Sequence, residues 1–181
     1  MCASVVSVNI GEARMVEWQG RKFASGIFKM PVNGPVRVKT LGLEGDVQAD
    51  LTVHGGKDKA VYAYPSEHYE YGNDQLQSSL RWGMFGENLT TKGFLEESVH
   101  TGDRFQVGSA ELIVTQPRFP CYKLGMKFDS MEMVKRFQLS GRSGFYLGVL
   151  KEGGIAAGDQ IWPITLNPNS PTVSDIFNSD Q

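Results

Sequence analysis

Apolar and polar residues alternate with a period of two along much of the chain, and few stretches carry a helical period. Val5, Val6, Val8 and Ile10 are apolar and β-favouring, which predicts a strand over residues 3–10. Two more short strands are expected at 15–18 and 22–29. Over 35–41, Val36, Val38 and Leu41 alternate with Arg37 and Lys39, the pattern of a half-buried strand. A glycine-rich loop over 42–56 leads into a strand at 60–64. Pro65 suits a first helical position, with Tyr69, Leu76 and Leu80 as the buried stripe of a helix to about Leu80, weakened at Gly72-Asn73. Apolar runs at 104–107 and 110–116 flank Gly108-Ser109 and predict a hairpin. Asp129-Ser130-Met131-Glu132 has the form of a capping box, opening a helix that reaches Ser140 and stops at Gly141. Strands at 145–150 and 160–164 follow. Gly102-Asp103 and Gly158-Asp159 each precede a strand, which signals repeated turn chemistry, not a duplicated domain. Many short strands with few helices argue for a mainly β fold, a closed or nearly closed barrel, with the strand order left open. The domain is expected over 1–166, with 167–181 a polar, loosely held tail.

Composition narrows the function classes. A length of 181 residues fits one domain, and 40% hydrophobic residues suffice for a core. The 21 glycines against 8 prolines suit frequent tight turns. A formal net charge of -2 lacks the basic excess of a nucleic-acid-binding surface. No apolar run approaches the ~18 residues needed to span a bilayer. Residues 1–10 lack the features of a signal peptide, so no membrane association and a cytoplasmic location are expected. Only two cysteines occur, Cys2 and Cys121, too few for a disulfide scaffold or a self-contained iron–sulfur cluster. His54, His68 and His100 lack zinc spacing, and no Gly-x-Gly-x-x-Gly motif follows a strand.

Four segments carry candidate chemistry. In Pro117-Arg118-Phe119-Pro120-Cys121-Tyr122-Lys123, two prolines end a strand and a cysteine begins the next turn. If a helix starts here, its dipole together with Arg118 and Lys123 favours a thiolate, which is a soft metal ligand or a nucleophile. A buried structural cysteine between two surface charges is the alternative. In the 42–60 segment, Gly55 and Gly56 allow close backbone approach to a ligand, Lys57 and Lys59 could hold an anion, and His54 could donate to a ligand oxygen. A solvated turn accounts for the same residues. In Phe85-Gly86-Glu87-Asn88-Leu89, a carboxylate and an amide share one turn, and Asn88 can both donate and accept along a pterin edge. In Ser140-Gly141-Arg142-Ser143-Gly144, Arg142 and Ser143 suit a phosphate, or equally a helix stop with an exposed arginine.

Taken in order, these pieces resemble one family. Residues 42–46, His54-Gly55-Gly56-x-Asp58-Lys59-Ala60, Tyr64-Pro65-x-Glu67-His68-Tyr69, 85–89, Pro117-Arg118-x-Pro120-Cys121-x-Lys123-Leu124 and Gly141-Arg142-Ser143-Gly144 resemble the MOSC proteins, named for the C-terminal domain of molybdenum-cofactor sulfurase. The likeness is to the stand-alone bacterial branch that confers resistance to 6-N-hydroxylaminopurine. It implies a β-barrel of the pyruvate-kinase-barrel type with a few peripheral helices, and binding of the molybdenum cofactor (molybdopterin) with Cys121 as the metal ligand. Gly86 and Asn88 would line the pterin pocket. Gly55, Gly56, Lys59, Arg118, Lys123, Arg142 and Ser143 join them as cofactor-binding candidates, and His54 and Glu87 as candidate proton donors. The implied reaction reduces N-hydroxylated small molecules such as purine bases to amines, with electrons from a separate reductase, a flavoprotein by expectation. A persulfide carrier on Cys121 and a non-catalytic cofactor carrier are the rivals. Residues 172–177 resemble the start of a helical C-terminal region found in related proteins.

Overall fold

The computed structural model describes residues 3–47 and 55–180. His54 and Cys2 therefore lie outside the described residues. Among those described, β1 (Ser4–Ile10), β2 (Arg14–Trp18), β3 (Arg21–Ser25), β4 (Met30–Val32), β5 (Val36–Lys39), β6 (Gly42–Leu43), β7 (Val61–Pro65), α1 (His68–Leu76) and β8 (Leu89–Lys92) make up the first half. They are followed by β9 (Arg104–Val107), β10 (Ala110–Pro117), α2 (Tyr122–Phe128), α3 (Met131–Ser140), β11 (Phe145–Lys151), β12 (Gly153–Ile155), β13 (Ile161–Thr165) and α4 (Val173–Ser179).

Eight strands form one sheet in the order β13-β9-β10-β11-β7-β8-β1-β4, antiparallel except for the parallel pair β7–β8. The sheet curls back on itself. Ser4 bridges Gln160, and Val5, Gly158 and Ile161 exchange backbone hydrogen bonds with Asp159, Val5 and Ala3 at 2.8 Å each. The smaller sheet β12-β5-β6 and the hairpin β2–β3 flank it. This is the mainly β architecture expected, with helices at the periphery.

The interior is filled by Val5, Val8, Leu89, Phe94, Leu112, Val114, Phe145 and Leu147, among others. A second apolar cluster lies on the other side of β7, where Tyr62 and Tyr64 meet Tyr69 of α1, Phe85, Leu124 of α2 and Phe137 of α3. The sequence Val-Tyr-Ala-Tyr-Pro divides this strand cleanly, since alternate side chains point to opposite faces. Val61 and Ala63 enter the first cluster, and Tyr62 and Tyr64 the second.

The structure departs from the sequence pattern in several places, among them α1, which ends at Leu76 and not near Leu80. Pro65 ends β7 instead of opening a helix, because the strand continues its pairing opposite Thr91 and α1 begins only at His68. The strand expected over 22–29 stops at Ser25, and 26–29 leave the hairpin. Asp129 is not the cap of α3. It adopts a left-handed conformation that closes α2, while Ser130 caps α3 by accepting from the Met133 amide at 3.3 Å. The 167–181 tail is not loose. Thr172 and Asp175 form a complete capping box, and α4 buries Val173 and Phe177. Both Gly-Asp turns behave alike, Asp103 accepting from the His100 amide and Asp159 from the Ala156 amide at 2.8 Å each.

The turn between α3 and β11 holds much of this together. Gly144 donates its amide to Glu96 at 2.6 Å and accepts from the Arg118 amide at 3.1 Å. Its φ is 63°, and a Cβ there would lie 2.5 Å from the Ala63 carbonyl oxygen. Gly141 has a similar φ of 67° but open space around it. Gly141→Ala should therefore cost only the ~1–2 kcal/mol of left-handed strain. Gly144→Ala should cost clearly more in urea unfolding, because backbone must move as well. Equal losses for the two variants would show that the close approach at Gly144 has no energetic weight.

Candidate functional site

The register of the central strands assembles a cleft at one end of the sheet. Tyr146 pairs with Tyr62 across β11–β7, and Pro117 with Phe145 across β10–β11. Arg118, which follows β10, is thereby brought over the outward-facing rings, its guanidinium 5.3 Å from the Tyr62 ring and 5.3 Å from that of Phe137. The Asn88 amide donates to the Tyr62 carbonyl at 2.8 Å, which sets the 85–88 turn beside the same residues. Cys121 is partly exposed on this cleft at the N-cap of α2.

Six of the candidates therefore share one cleft: Cys121, Arg118, Lys123, Gly86, Asn88 and Lys59. Others do not. Glu87 is fully buried and is not among the residues lining the cleft. Its carboxylate accepts from Tyr69 Oη at 2.5 Å, the Gly83 amide at 2.8 Å, the Phe85 amide at 3.1 Å and Thr90 Oγ1 at 2.8 Å. A carboxylate so saturated organises the turn, and it lies behind the cleft wall and not on it. Arg142 lines a different cleft, beside Glu96 and Glu97, with its guanidinium 4.5 Å from the Tyr71 ring. Ser143 is buried, its carbonyl accepting from Tyr62 Oη at 2.8 Å and its hydroxyl donating to the Gly144 carbonyl. Neither belongs to the Cys121 cleft. Gly55 and Gly56 precede the 3-10 turn Lys57–Lys59 and are not among the described lining residues. Asn88 lines the cleft, but its side chain is engaged by the protein. Oδ1 accepts from the Tyr62 amide at 3.1 Å, and Nδ2 donates to Asp46 at 2.8 Å.

Sequence reasoning missed Lys29 and Asp46 as partners. The Lys29 ammonium lies 2.5 Å from both Asp46 carboxylate oxygens, which also accept from Asn88 and from the Gly11 amide. Burial pushes the Lys29 amine down, and Asp46 opposes that shift. Only the 42–46 segment signalled this pair in advance, through its place in the ordered motif set. Burial also pushes the Tyr62 and Tyr146 phenols up, so both remain neutral.

The charge balance decides what the cleft can hold. Among the described lining residues, Lys29, Lys59, Arg118 and Lys123 are cationic, and Asp46 is the one carboxylate. Asp46 is neutralised by Lys29. Arg118 is buried, and its Nη1 has no hydrogen-bond partner among the described residues. An unpaired buried donor on a charged group costs more than ~1–3 kcal/mol, so this position calls for an anionic acceptor. An anion-selective cleft with a cysteine sulfur at its wall fits a negatively charged cofactor with a thiolate-binding metal.

The MOSC domain family model matches residues 50–162, more than half of the chain. The chain belongs to this family. It is similar to the uncharacterized protein YflK of Bacillus subtilis (strain 168), 46% identical over 155 residues, covering 86% of this chain and 70% of that protein. A protein named "Reductase" from Gibberella moniliformis is 36% identical over 146 residues, which are 78% of this chain and 26% of that longer protein. The crystal structure of YiiM from Geobacillus stearothermophilus superposes with a TM-score of 0.81 at 34% identity, covering 97% of this chain and 82% of that one. This MOSC protein has no described helix long and apolar enough to cross a membrane.

Lys127, on the helix that Cys121 caps, ties the segment around Ile27 to the turn that begins at Gly83. Its ammonium donates to the Ile27 carbonyl at 2.8 Å and the Gly83 carbonyl at 2.7 Å. Burial pushes its pKa down to about 7, against the attraction of Glu87. A lysine depressed in the folded state destabilises it where the amine is charged, and that cost is relieved as pH rises from about 7 toward the ordinary lysine value. The stability of the wild type relative to Lys127→Met should therefore rise by about 2 kcal/mol between pH 7 and 9. Urea unfolding at the two pH values measures the difference. A constant difference would mean that Lys127 titrates normally.

Proposed function

We propose that this chain binds the molybdenum cofactor through Cys121 and reduces N-hydroxylated compounds, including N-hydroxylated purine bases, to amines. The observation that carries this reading is the conjunction of Cys121 with the unpartnered Arg118 Nη1 in one cationic cleft. When bound, the cofactor supplies the two-electron oxygen-removal chemistry. Cys121 would ligate the metal, a role suited to a soft thiolate. Arg118, Lys59 and Lys123 would offset the negative charge of the pterin phosphate and the metal centre. The Lys29–Asp46 pair holds the Asn88 turn in place and keeps the cleft floor neutral.

The overall reaction consumes two electrons and two protons for each N–OH group converted to N–H and water. No nucleotide-binding motif, haem ligand set or iron–sulfur cysteine set is evident in the sequence, so the electrons are assigned to a separate reductase, a flavoprotein by chemistry. The name of the fungal relative supports the reductive direction. A persulfide carrier would use Cys121 equally well, but it would give no role to the free face of Arg118.

Cys121→Ser should fold normally, lose molybdenum and abolish reduction of N-hydroxylated bases. Full turnover with normal metal content would refute the ligand assignment. Persulfide on Cys121 in metal-free wild type would favour the carrier.

Arg118→Met should lower pterin content per folded chain at least tenfold, the scale of a charged hydrogen bond of about 1.5–3 kcal/mol. Arg142→Met, in the other cleft, should leave pterin content unchanged. Equal retention in both variants would remove Arg118 from the cofactor's binding set.

The purified protein should be inactive with NADPH alone and turn over once a chemical reductant or a flavoprotein reductase is supplied. Sustained turnover with NADPH as sole donor would reveal a second cofactor site.

A further inference from the structure

Phe119 stands two residues before Cys121, between Pro117 and Pro120, and lines the same cleft. Of the four aromatic residues among the described lining set, Tyr62, Phe85 and Tyr146 are buried or partly buried. Phe119 is 39% exposed. One face of its ring is occupied. It stacks on Phe177 of α4 with centroids 5.2 Å apart and planes 12° from parallel. Phe177 is itself fully buried, so the Phe119 ring is held from behind by the core. Val47, also exposed, is the other apolar side chain at the cleft lining that solvent reaches freely. The rest of the cleft lining is largely polar, and its accessible apolar surface is concentrated here.

We infer that Phe119 is a specificity-determining stacking platform that selects substrates whose N–OH group is attached to a flat heteroaromatic ring. The inference rests on the proposed reductase reading for its substrate, but its physical basis is separate. Flanking prolines restrict the backbone, and the Phe177 stack restricts the ring, so little side-chain freedom is lost when a ligand docks. Stacking on an aromatic face is available to every nucleobase and does not depend on its hydrogen-bonding edge. Neighbouring Cα atoms lie 3.8 Å apart, so the Phe119 and Cys121 Cα atoms are separated by less than about 8 Å. That is close to the span of a purine, so a ring on Phe119 can direct an exocyclic N–OH toward Cys121. A ring-free N-hydroxy compound gains nothing from the platform.

Two measurements test this. In the reductase-coupled assay, 6-N-hydroxylaminopurine is compared with N-hydroxyurea. Phe119→Ala should lower the ratio of kcat/KM for the ring substrate over the ring-free one by about tenfold or more, mostly through KM, and Phe119→Trp should preserve or raise the ratio. An unchanged ratio in Phe119→Ala would overturn the inference. The second measurement is equilibrium binding of adenine to the purified protein without turnover. Adenine should bind the wild type and Phe119→Trp, and bind Phe119→Ala about tenfold more weakly. Equal binding to all three, or none to the wild type, would also overturn it. If the wild type reduces neither compound, the reductase reading fails, and the adenine measurement still decides whether Phe119 is a stacking platform.

Discussion

The fold depends on β7 being buried on both faces. A strand in that position must carry apolar or aromatic side chains at every residue, and its polar backbone must be paired along both edges. Val61 and Ala63 fill the barrel interior, while Tyr62 and Tyr64 form the base of the aromatic layer beneath α1, α2 and α3. Antiparallel pairing with β11 on one edge and parallel pairing with β8 on the other satisfies the backbone. The cleft is a by-product of that double burial. Tyr62 is the outward-facing residue at which the ends of β10, β11 and the 85–88 turn converge, and Arg118, Asn88 and Tyr146 are all fixed by contacts to it.

Charge is concentrated in a region with little water to screen it, and the structure handles each charge differently. Asp46 and Lys29 neutralise each other, and two further donors reach the carboxylate. Glu87 is held by a ring of neutral donors. Lys127 rests on two carbonyls and gives up part of its basicity. Of these charged groups, Arg118 keeps a buried donor without an acceptor among the described residues, and it faces aromatic rings whose π-electrons offset only part of the cost of desolvation. The unsatisfied group lies beside the one cysteine of the cleft, which is where a ligand would complete the set.

Much of this was legible in the chain. The 104–117 hairpin follows from Gly108-Ser109 between apolar runs, and the Arg118–Lys123 cluster from prolines at a strand end. Both are local, so short-range pattern suffices. What escaped was set by long-range placement. Glu87 and Asn88 read alike as polar residues in a turn, yet one is enclosed by Tyr69 and Thr90 and the other lies at the cleft wall. Arg142 and Arg118 read alike as cofactor-binding cations, but α3 and its stop carry Arg142 to another cleft. The Lys29–Asp46 pair joins segments 17 residues apart whose proximity only the tertiary fold produces. The tail misled because its polar composition hid two apolar residues, Val173 and Phe177, spaced one helical turn apart.

The docking of α4 has a consequence for how the molecule responds to heat. Seven residues are too few for a helix to persist alone in water, so α4 exists only while its two buried side chains stay seated and the short bridge between His100 and Thr172 holds. The Val173 and Ser174 amides add backbone anchors on the Val99 and Glu96 carbonyls at 3.0 and 3.1 Å, and a short terminal segment of this kind still opens more readily than a central strand. When α4 lifts away, Phe119 loses the ring behind it and the mouth of the cleft loses its fixed wall, while the barrel and the cysteine remain in place. Discrimination among ligands would thus fade at temperatures where the circular dichroism of the sheet is still native, and amide exchange in 173–179 would report the onset.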